Sequence, residues 1–170
     1  METFLAIASR REVRDYERRP IPSDVERRIL DAGRLAGNAS NRQPWRFVVV
    51  EDAARRDRLA ECVFEPGNVR GAALVVGVTV SGKGPLAFDA GRAAQNMLLT
   101  AHDQGVGSSP NGLADADAAA EALGLPDEER LVIVLSFGYP ARPRDPATRS
   151  AAEWSERANR RPLDELVRRI

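Results

Sequence analysis

Apolar positions along the chain follow two patterns, short continuous runs and helical spacing, and the two patterns alternate. Continuous runs predict buried strands at residues 47–50, 72–80 and 131–137. Apolar residues that recur every three or four positions predict helices at residues 24–36, 53–63, 90–101 and 115–123. The run at 72–80 is apolar almost throughout, which is typical of a central strand covered on both faces.

Capping residues and small residues sharpen the helix predictions. Ser23 and Glu26 form a capping-box pair at the start of the helix at 24–36, and Gly37 follows as its terminator. The long helix carries a stripe of mostly small residues, which lets another helix approach closely. The stripe consists of Ala90, Ala93, Ala94, Met97, Leu98 and Ala101.

The remaining segments complete the predicted architecture. We expect a short helix at residues 2–9, an extended arm at 141–149 and a last helix at 162–169. Residues 104–112 contain three glycines and read as a loop with accessible backbone amides. The alternation of helices and strands predicts an α/β or α+β protein, a three-layer α-β-α sandwich formed as one domain over residues 1–170.

Composition narrows the classes of partner. The 25 basic and 25 acidic residues cancel, and the pI is about 6.6, so no global field attracts nucleic acid or an anionic membrane. No apolar stretch approaches the roughly 20 residues of a membrane span. Cys62 and His102 are the only cysteine and histidine, so we expect neither a disulfide nor a Cys/His metal site. A cytoplasmic protein without a nucleic-acid or membrane partner is expected.

Two stretches are candidate binding sites on residue type alone. The loop at 37–43 carries small and amide-bearing residues between a helix and a strand, which suits a planar polar ligand, although an ordinary connecting loop explains it equally well. Arg10, Arg11 and Arg14 could converge on a phosphate. The alternative is a solvated basic face, because 24 of the 25 basic residues are arginines and Lys83 is the only lysine.

The inventory of reactive side chains points to a cofactor if the protein is an enzyme. With one histidine, one cysteine and no G-x-S-x-G or H-E-x-x-H motif, the sequence lacks the parts for nucleophilic or metal-dependent hydrolysis. It also lacks the glycine-rich motifs of Rossmann and P-loop sites. A bound organic cofactor would then carry out the chemistry.

Five blocks, in order along the chain, resemble the nitroreductase family of flavoproteins. The blocks are ASRREVRDYERRPIP, AGNASNRQPWRFVVV, FDAGRAAQNMLLTAHDQGVGSS, LSFGYPARP and NRRPLDELV. The N-R-Q-P-W and Q-N-x-L-L elements are the most specific of them. The resemblance implies an FMN-binding homodimer with a mixed sheet flanked by helices and with two equivalent sites in the dimer interface.

The resemblance also implies which residues bind FMN. Arg10, Arg11 and Arg14 would hold the phosphate, with Arg160 or Arg161 joining from the other end of the chain. The isoalloxazine and ribityl chain would be lined from the partner subunit by Asn38, Ala39, Ser40 and Asn41, with Gln43 nearby. One flavin face would be covered by Ser109, Pro110 and Asn111, with a backbone N–H directed at N5.

The implied activity is hydride transfer from NADH or NADPH through flavin N5 to a small-molecule acceptor, in a ping-pong mechanism without a catalytic side chain. The acceptor would be a nitroaromatic, a quinone or a similar conjugated compound. A dedicated reaction of the same superfamily, such as flavin fragmentation, dehalogenation or azoline oxidation, is an alternative. A non-catalytic flavin-binding domain is another, because Glu12 and Gly37-Asn38 replace a serine and a Pro-Ser of the family pattern.

Overall fold

The computed structural model describes residues 1–170, which form two compact units. The larger unit is Arg11–Pro143, and the smaller unit joins Met1–Arg10 with Arg144–Ile170. The expectation of a single domain stays a prediction. The helices are α1 (Thr3–Ser9), α2 (Ser23–Arg34), α3 (Ala53–Glu61), α4 (Pro66–Arg70), α5 (Leu86–Asp103), α6 (Ala116–Leu123), α7 (Ala151–Glu156) and α8 (Leu163–Leu166). The strands are β1 (Trp45–Val49), β2 (Leu74–Val80), β3 (Gly107–Asn111) and β4 (Arg130–Gly138).

The four strands of the larger unit form one sheet in the order β1-β2-β4-β3, and every strand pair is antiparallel. The resemblance implied a mixed sheet. Within this chain the one parallel pairing is the isolated bridge between Glu12 and Ser108, outside the four strands. Strand β2 is central and buried at all seven positions, as its continuous apolar run predicted.

Helices cover both faces of this sheet, which confirms the predicted three layers. On one face, Val76 and Val78 of β2 lie in a core cluster with residues of α2 and α5. On the other face, Val75 and Val134 lie in a second cluster with residues of α3, α4 and α6. Alternate residues of β2 thus enter different cores, because successive side chains of a strand point to opposite faces.

The stripe of small residues on α5 allows close packing, as expected. All six residues of the stripe are buried, and α2 packs against α5. At Gly33 of α2, a Cβ atom would lie only 2.8 Å from Met97 Sδ and from Phe47 Cζ. The absence of a side chain at Gly33 is what lets the two helices approach this closely.

The expectation of a loop over residues 104–112 is wrong in its central part, because residues 107–111 form β3. The sequence GSSPN has neither apolar alternation nor strong strand formers, so its local pattern gives no strand signal. The strand forms because β4 supplies its hydrogen-bond partner along its whole length. Pro110 is tolerated because β3 is an edge strand.

The smaller unit is built around the packing of α1 against α7. Helix α7 begins with a complete capping box between Ser150 and Glu153, and the indole of the buried Trp154 donates to the carbonyl of Pro146 at 2.9 Å. The predicted last helix at 162–169 is shorter than expected, a single turn at Leu163–Leu166. Its leucines are exposed, so no packing offsets the entropic cost of helix nucleation.

The predicted capping box at Ser23 is wrong, because α2 begins at Ser23 itself, with Pro22 as its N-cap residue and no side-chain cap hydrogen bond. Short helices account for further differences from expectation. A proline followed by a glycine is typical of a turn, but Pro66 and Gly67 begin α4, and Pro66 lies in the first helical turn, where its missing N–H costs no hydrogen bond. The expected extended arm at 141–149 contains one turn of 3-10 helix at Pro146–Thr148. None of the helices combines the length and apolar character that crossing a membrane requires.

Candidate functional site

Two of the predicted binding segments lie side by side in the larger unit. The backbone of Glu12 bridges to Ser108, and the Val13 N–H donates to the Ser108 carbonyl at 3.0 Å. The segment at 11–16, which carries Arg11 and Arg14, therefore runs along the outer edge of β3. Residues nearly 100 positions apart in sequence are joined here by main-chain hydrogen bonds.

Two glycines facing each other provide the surface on which this segment packs. Gly107 of β3 is the register partner of Gly138 of β4. A Cβ at Gly107 would lie 2.7–2.9 Å from the Cβ and both methyl carbons of Val13, and a Cβ at Gly138 would lie 2.8 Å from the ring of Tyr16. Any side chain at either glycine would displace the segment, because these contacts involve the body of each neighbour rather than a flexible end.

A buried polar network holds Asn111 and β3 in place. The side-chain nitrogen of Asn111, Nδ2, lies 3.1–3.2 Å from the carbonyls of Ser109 and Val134 and from Ser136 Oγ. Its carbonyl oxygen accepts a hydrogen bond from Asn68 of α4 at 2.9 Å. Asn111 is only 4% exposed and Ser109 is fully buried. Their side chains thus serve the interior of the unit, and Pro110 between them is the exposed residue.

Tyr16 connects the arginine-bearing segment to the same network. Its hydroxyl donates to the Val13 carbonyl at 2.6 Å and lies 3.1 Å from Ser136 Oγ. Burial raises the pKa of Tyr16 to about 12, with the charge of Glu12 acting in the same direction and the hydrogen bond with Ser136 opposing it. Tyr16 and Ser136 were not among the predicted site residues. Their contact spans 120 positions and leaves no local signal in the sequence.

The loop at 37–43 has a strained backbone. Ser40, Asn41 and Gln43 adopt φ values of 53°, 52° and 50°, a left-handed conformation that costs roughly 1 kcal/mol or more for residues such as serine and glutamine. Asn38 stabilises the loop, because its side-chain oxygen accepts the Gln43 N–H at 2.7 Å. Ala39, Ser40, Asn41 and Gln43 are all exposed. Such strain is concentrated at functional sites, where the surrounding structure maintains it.

A cation and an open groove flank this loop. The guanidinium of Arg92 lies against Gly37, where a Cβ would come within 2.5 Å of Nη2. A groove of about 640 Å³ adjoins Gln43, and the side chains of Leu30, Trp45 and Phe47 contribute its apolar lining. Arg92 was missed by the sequence reasoning because it lies in the α5 pattern, far from Gly37 along the chain.

The two halves of the predicted site lie at diagonally opposite corners of the sheet. The loop at 37–43 precedes β1, and β1 and β3 are the two edge strands, three inter-strand spacings or about 14 Å apart. In the strand register, Trp45 pairs with Val80 of β2. Ser109 pairs with Ser136 of β4, which in turn pairs with Val75 of β2. This offset of five residue steps along β2 adds about 17 Å. Within one chain the loop and Ser109 are therefore far apart.

The other predicted phosphate ligands belong to the smaller unit. Arg10 follows α1 as its C-cap residue and is half-buried. Arg160 and Arg161 lie between α7 and α8 and are exposed, directly after Asn159, which has a φ of 49°. In the larger unit, Arg11 is half-buried and Arg14 is exposed.

Acid, base and nucleophile groups contribute little to this arrangement. No group of three or more His, Cys, Asp or Glu side chains could hold a metal ion. Cys62, the C-cap residue of α3, is buried in the second core cluster, and burial raises the pKa of its thiol, which keeps it protonated at neutral pH. The arrangement offers hydrogen-bond donors, cations and the partly apolar lining of a groove, which are binding groups rather than catalytic ones.

Comparison with known proteins gives one consistent family. The sequence profile of the Nitroreductase family matches residues 7–81 and 85–139, well over half of the chain. A protein from Archaeoglobus fulgidus described as an NADH dehydrogenase/NAD(P)H nitroreductase is 33% identical over 155 residues, covering 85% of this chain and 88% of its own. A 5,6-dimethylbenzimidazole synthase from Rhodospirillum rubrum is 27% identical over 165 residues, covering 77% of this chain and 78% of its own.

Solved structures agree with this assignment of the fold. A protein from Desulfovibrio desulfuricans, described as a nitroreductase in complex with FMN, superposes with a TM-score of 0.83 at 31% identity. The match covers 98% of this chain and 96% of the other.

The raised pKa of Tyr16 predicts its titration and a pH dependence of stability. The chain has two tyrosines, so in a Tyr139→Phe variant the remaining phenol should titrate with a midpoint near 12 in the folded protein, measured by ultraviolet absorbance. The neutral form is favoured by folding, so its contribution is fully present below pH 10 and is lost as the pH rises through 12. A midpoint near the ordinary value of 10 would contradict the burial of this hydroxyl.

Proposed function

The chain belongs to the nitroreductase family, and from this membership and the geometry of its candidate site we propose that it is an FMN-dependent oxidoreductase. Its electron donor is NADH or NADPH, and its acceptor is a nitroaromatic, a quinone or a similar conjugated compound. Donor and acceptor use the same site in turn, in a ping-pong mechanism. The relative from Archaeoglobus fulgidus bears an NAD(P)H nitroreductase description, and the relative from Desulfovibrio desulfuricans was solved with FMN.

The observation that carries the proposal is the main-chain pairing of the 11–16 segment with β3. This pairing places the 11–16 segment, whose arginines can bind a phosphate, next to the edge of β3, which can contact the flat ring of the same ligand. Arg11 and Arg14 supply planar guanidinium groups, which form the strongest charge-assisted hydrogen bonds with phosphate oxygens. Arg10, Arg160 and Arg161 belong to the smaller unit, and their part in binding the phosphate stays a prediction.

The second half of the proposed flavin site is the loop at 37–43 of the other chain in a homodimer. Its residues Asn38 to Asn41 and Gln43 present amide and hydroxyl groups to the polar edge of the ring, and the separation of this loop from β3 within one chain favours a contribution from a partner. Arg92 adds a positive charge next to Gly37, where it would stabilise negative charge on a bound ligand.

Apolar residues left exposed by one chain support the proposed homodimer. In the smaller unit, Phe4 and Ile7 of α1 are 58% and 52% exposed, and Leu163 and Leu166 of α8 are 72% and 54% exposed. Large apolar side chains that stay exposed on short terminal elements are typical of a surface that another protein chain covers. Phe88 at the start of α5 is a further exposed aromatic residue of the larger unit.

The residues of the chain bind and orient, and the redox chemistry belongs to the cofactor. When bound, FMN would supply the hydride-transfer chemistry between the nicotinamide donor and the acceptor. Pro110 has no backbone N–H, and the side-chain amide of Asn111 is hydrogen-bonded inside the unit. Ser109, Pro110 and Asn111 therefore shape one face of the site through the position of their backbone. The rigid β3 edge keeps this face in place, and the arginines hold the phosphate.

A dedicated reaction within the family is the second candidate function. The observation that favours it is the 27% identity to a 5,6-dimethylbenzimidazole synthase over most of both chains. That function would use the same FMN site but would not need reduction of a separate acceptor by a pyridine nucleotide.

The test of the proposed function is an absorbance spectrum of the purified protein with FMN, recorded before and after anaerobic addition of NADPH and then NADH. We expect the visible flavin bands to bleach with at least one donor and to return when a nitroaromatic or quinone is added. Bands that persist with both donors would favour the dedicated reaction. Protein that takes up no flavin would contradict both candidates and leave a degenerate, non-flavin member of the family.

The arginine assignment predicts the effect of one substitution. Arg14→Ala should weaken FMN binding by roughly 1.5–3 kcal/mol, because it removes a charge-assisted hydrogen bond to phosphate. Titration of flavin fluorescence measures this affinity. Arg58→Ala is the matched control, since Arg58 is an exposed arginine on α3 and should leave the affinity unchanged. Equal affinities for the Arg14→Ala and control proteins would remove Arg14 from the site.

A further inference from the structure

The link between Tyr16 and Ser136 is not part of the binding set but lies between its two components. Tyr16 is on the arginine-bearing segment, and Ser136 is on β4 directly opposite Ser109 of β3. The Tyr16 hydroxyl is 3.1 Å from Ser136 Oγ, and Ser136 Oγ is 3.2 Å from the Ser109 carbonyl. One fully buried serine thus contacts both the segment and the strand.

The link adds a side-chain restraint to the main-chain bonds that hold the segment. Those bonds run from the Val13 N–H to the Ser108 carbonyl at 3.0 Å and, at the other end of the segment, from the Ala141 N–H to the Asp15 carbonyl at 3.0 Å. The ring of Tyr16 rests on Gly138, and its hydroxyl reaches the next inward-facing residue of β4, Ser136. These side-chain contacts tie the segment to β4 at a point that the main-chain bonds do not restrain.

The same serine also holds the interior amide. Ser136 Oγ accepts a hydrogen bond from the Asn111 side chain at 3.1 Å, and Asn111 in turn binds Asn68 of α4. The chain of contacts therefore runs from the arginine-bearing segment through Ser136 to both β3 and α4. Buried polar networks in which every member has a partner are rigid, since each hydrogen bond restrains its neighbours.

We propose that Tyr16 and Ser136 are positioning residues that hold the arginine-bearing segment in register with β3, so that one rigid frame sets the spacing between the phosphate site and the flavin ring site. The inference rests on the proposed function, because FMN is the ligand whose two ends the frame would align. Neither residue touches the ligand in this account. Each acts through the backbone that it holds.

A frame of this kind predicts that loosening the segment weakens the binding of FMN more than the binding of riboflavin. The two ligands share a ring system, and riboflavin lacks the phosphate. Loosening the segment should reduce the contribution of Arg11 and Arg14 while leaving the ring contacts of β3 in place. Tyr16→Phe should therefore weaken FMN binding by about 5- to 10-fold, the range for loss of a buried hydrogen bond, and riboflavin binding by no more than about 2-fold. General destabilisation of the protein would weaken both ligands alike.

Tyr139→Phe is the matched control, because it removes a hydroxyl from the residue next to Gly138. The ring of Tyr139 stacks with Arg19, whose guanidinium carbon lies 3.8 Å from the ring centroid, and a phenyl ring preserves that contact. The ratio of the FMN and riboflavin affinities should stay at the wild-type value in this variant.

Ser136→Ala gives a second, independent variant. Asn111 keeps two carbonyl acceptors and Tyr16 keeps the Val13 carbonyl, so no partner is left without a hydrogen bond and the fold is retained. We expect the same fall in the affinity ratio as with Tyr16→Phe. The double variant should show little further change, since both substitutions break one link.

Hydrogen exchange of the flavin-free protein provides a readout that does not depend on binding. The amide of Val13 is bonded to Ser108 and should exchange faster in Tyr16→Phe than in Tyr139→Phe, whereas the amides of central strand β2 should not change. Faster exchange at Val13 together with a reduced affinity ratio in both variants supports the proposal. An unchanged ratio, or equal weakening of FMN and riboflavin, overturns it while leaving the proposed function intact. Wild-type protein that binds no FMN overturns the proposed function and this inference with it.

Discussion

The order of the four strands is the constraint on which the rest of this structure depends. It puts the loop at 37–43 on one edge of the sheet and β3 on the other, about 14 Å across and about 17 Å along the strands. The two segments with the clearest binding chemistry are thus kept apart by the buried strands β2 and β4. A sheet with helices packed on both faces cannot bend to bring its corners together, which supports the proposal that a ligand using both segments lies between two chains.

Close packing on glycine allows the phosphate side of the proposed site to form. Gly107 and Gly138 face each other on β3 and β4, and the 11–16 segment occupies the space that two side chains would fill. The hydrogen bonds of Tyr16, Ser136 and Asn111 then hold this segment and the strand together. Burial of so many polar groups is tolerated because they satisfy one another, and leaving one unpaired would cost about 1–3 kcal/mol.

The layers and the long elements could be predicted from the sequence because their signals are local. The continuous apolar run of β2 and the small-residue stripe of α5 each specify a position in the fold without information from elsewhere in the chain. Strand β3 could not be predicted, since its residues become a strand only through pairing with β4. The length of helix α8 was overestimated, because its sequence has a helical pattern but its side chains do not pack against a core within the chain.

The candidate site, like the fold, could be predicted from the sequence only in part. The loop at 37–43 and the arginines were identifiable by residue type and by resemblance to a family. Their distance from each other, the left-handed backbone at Ser40 and the role of Tyr16 depend on contacts between distant parts of the sequence. Asn111 illustrates the difference: its place on one flavin face is a prediction from resemblance, whereas the hydrogen bonds of its side-chain amide to Asn68 and Ser136 follow only from the fold.

Subunit complementation tests the central claim, that each flavin site combines β3 and the arginines of one chain with the 37–43 loop of another. Arg14→Ala would be placed on one tagged chain, and Asn38→Ala with Asn41→Ala on a differently tagged chain. Each variant alone should bind FMN weakly. The purified heterodimer should regain one site of wild-type affinity per dimer, because one of its two sites then carries neither defect. A heterodimer that binds no better than the two variants alone would contradict a site shared between chains.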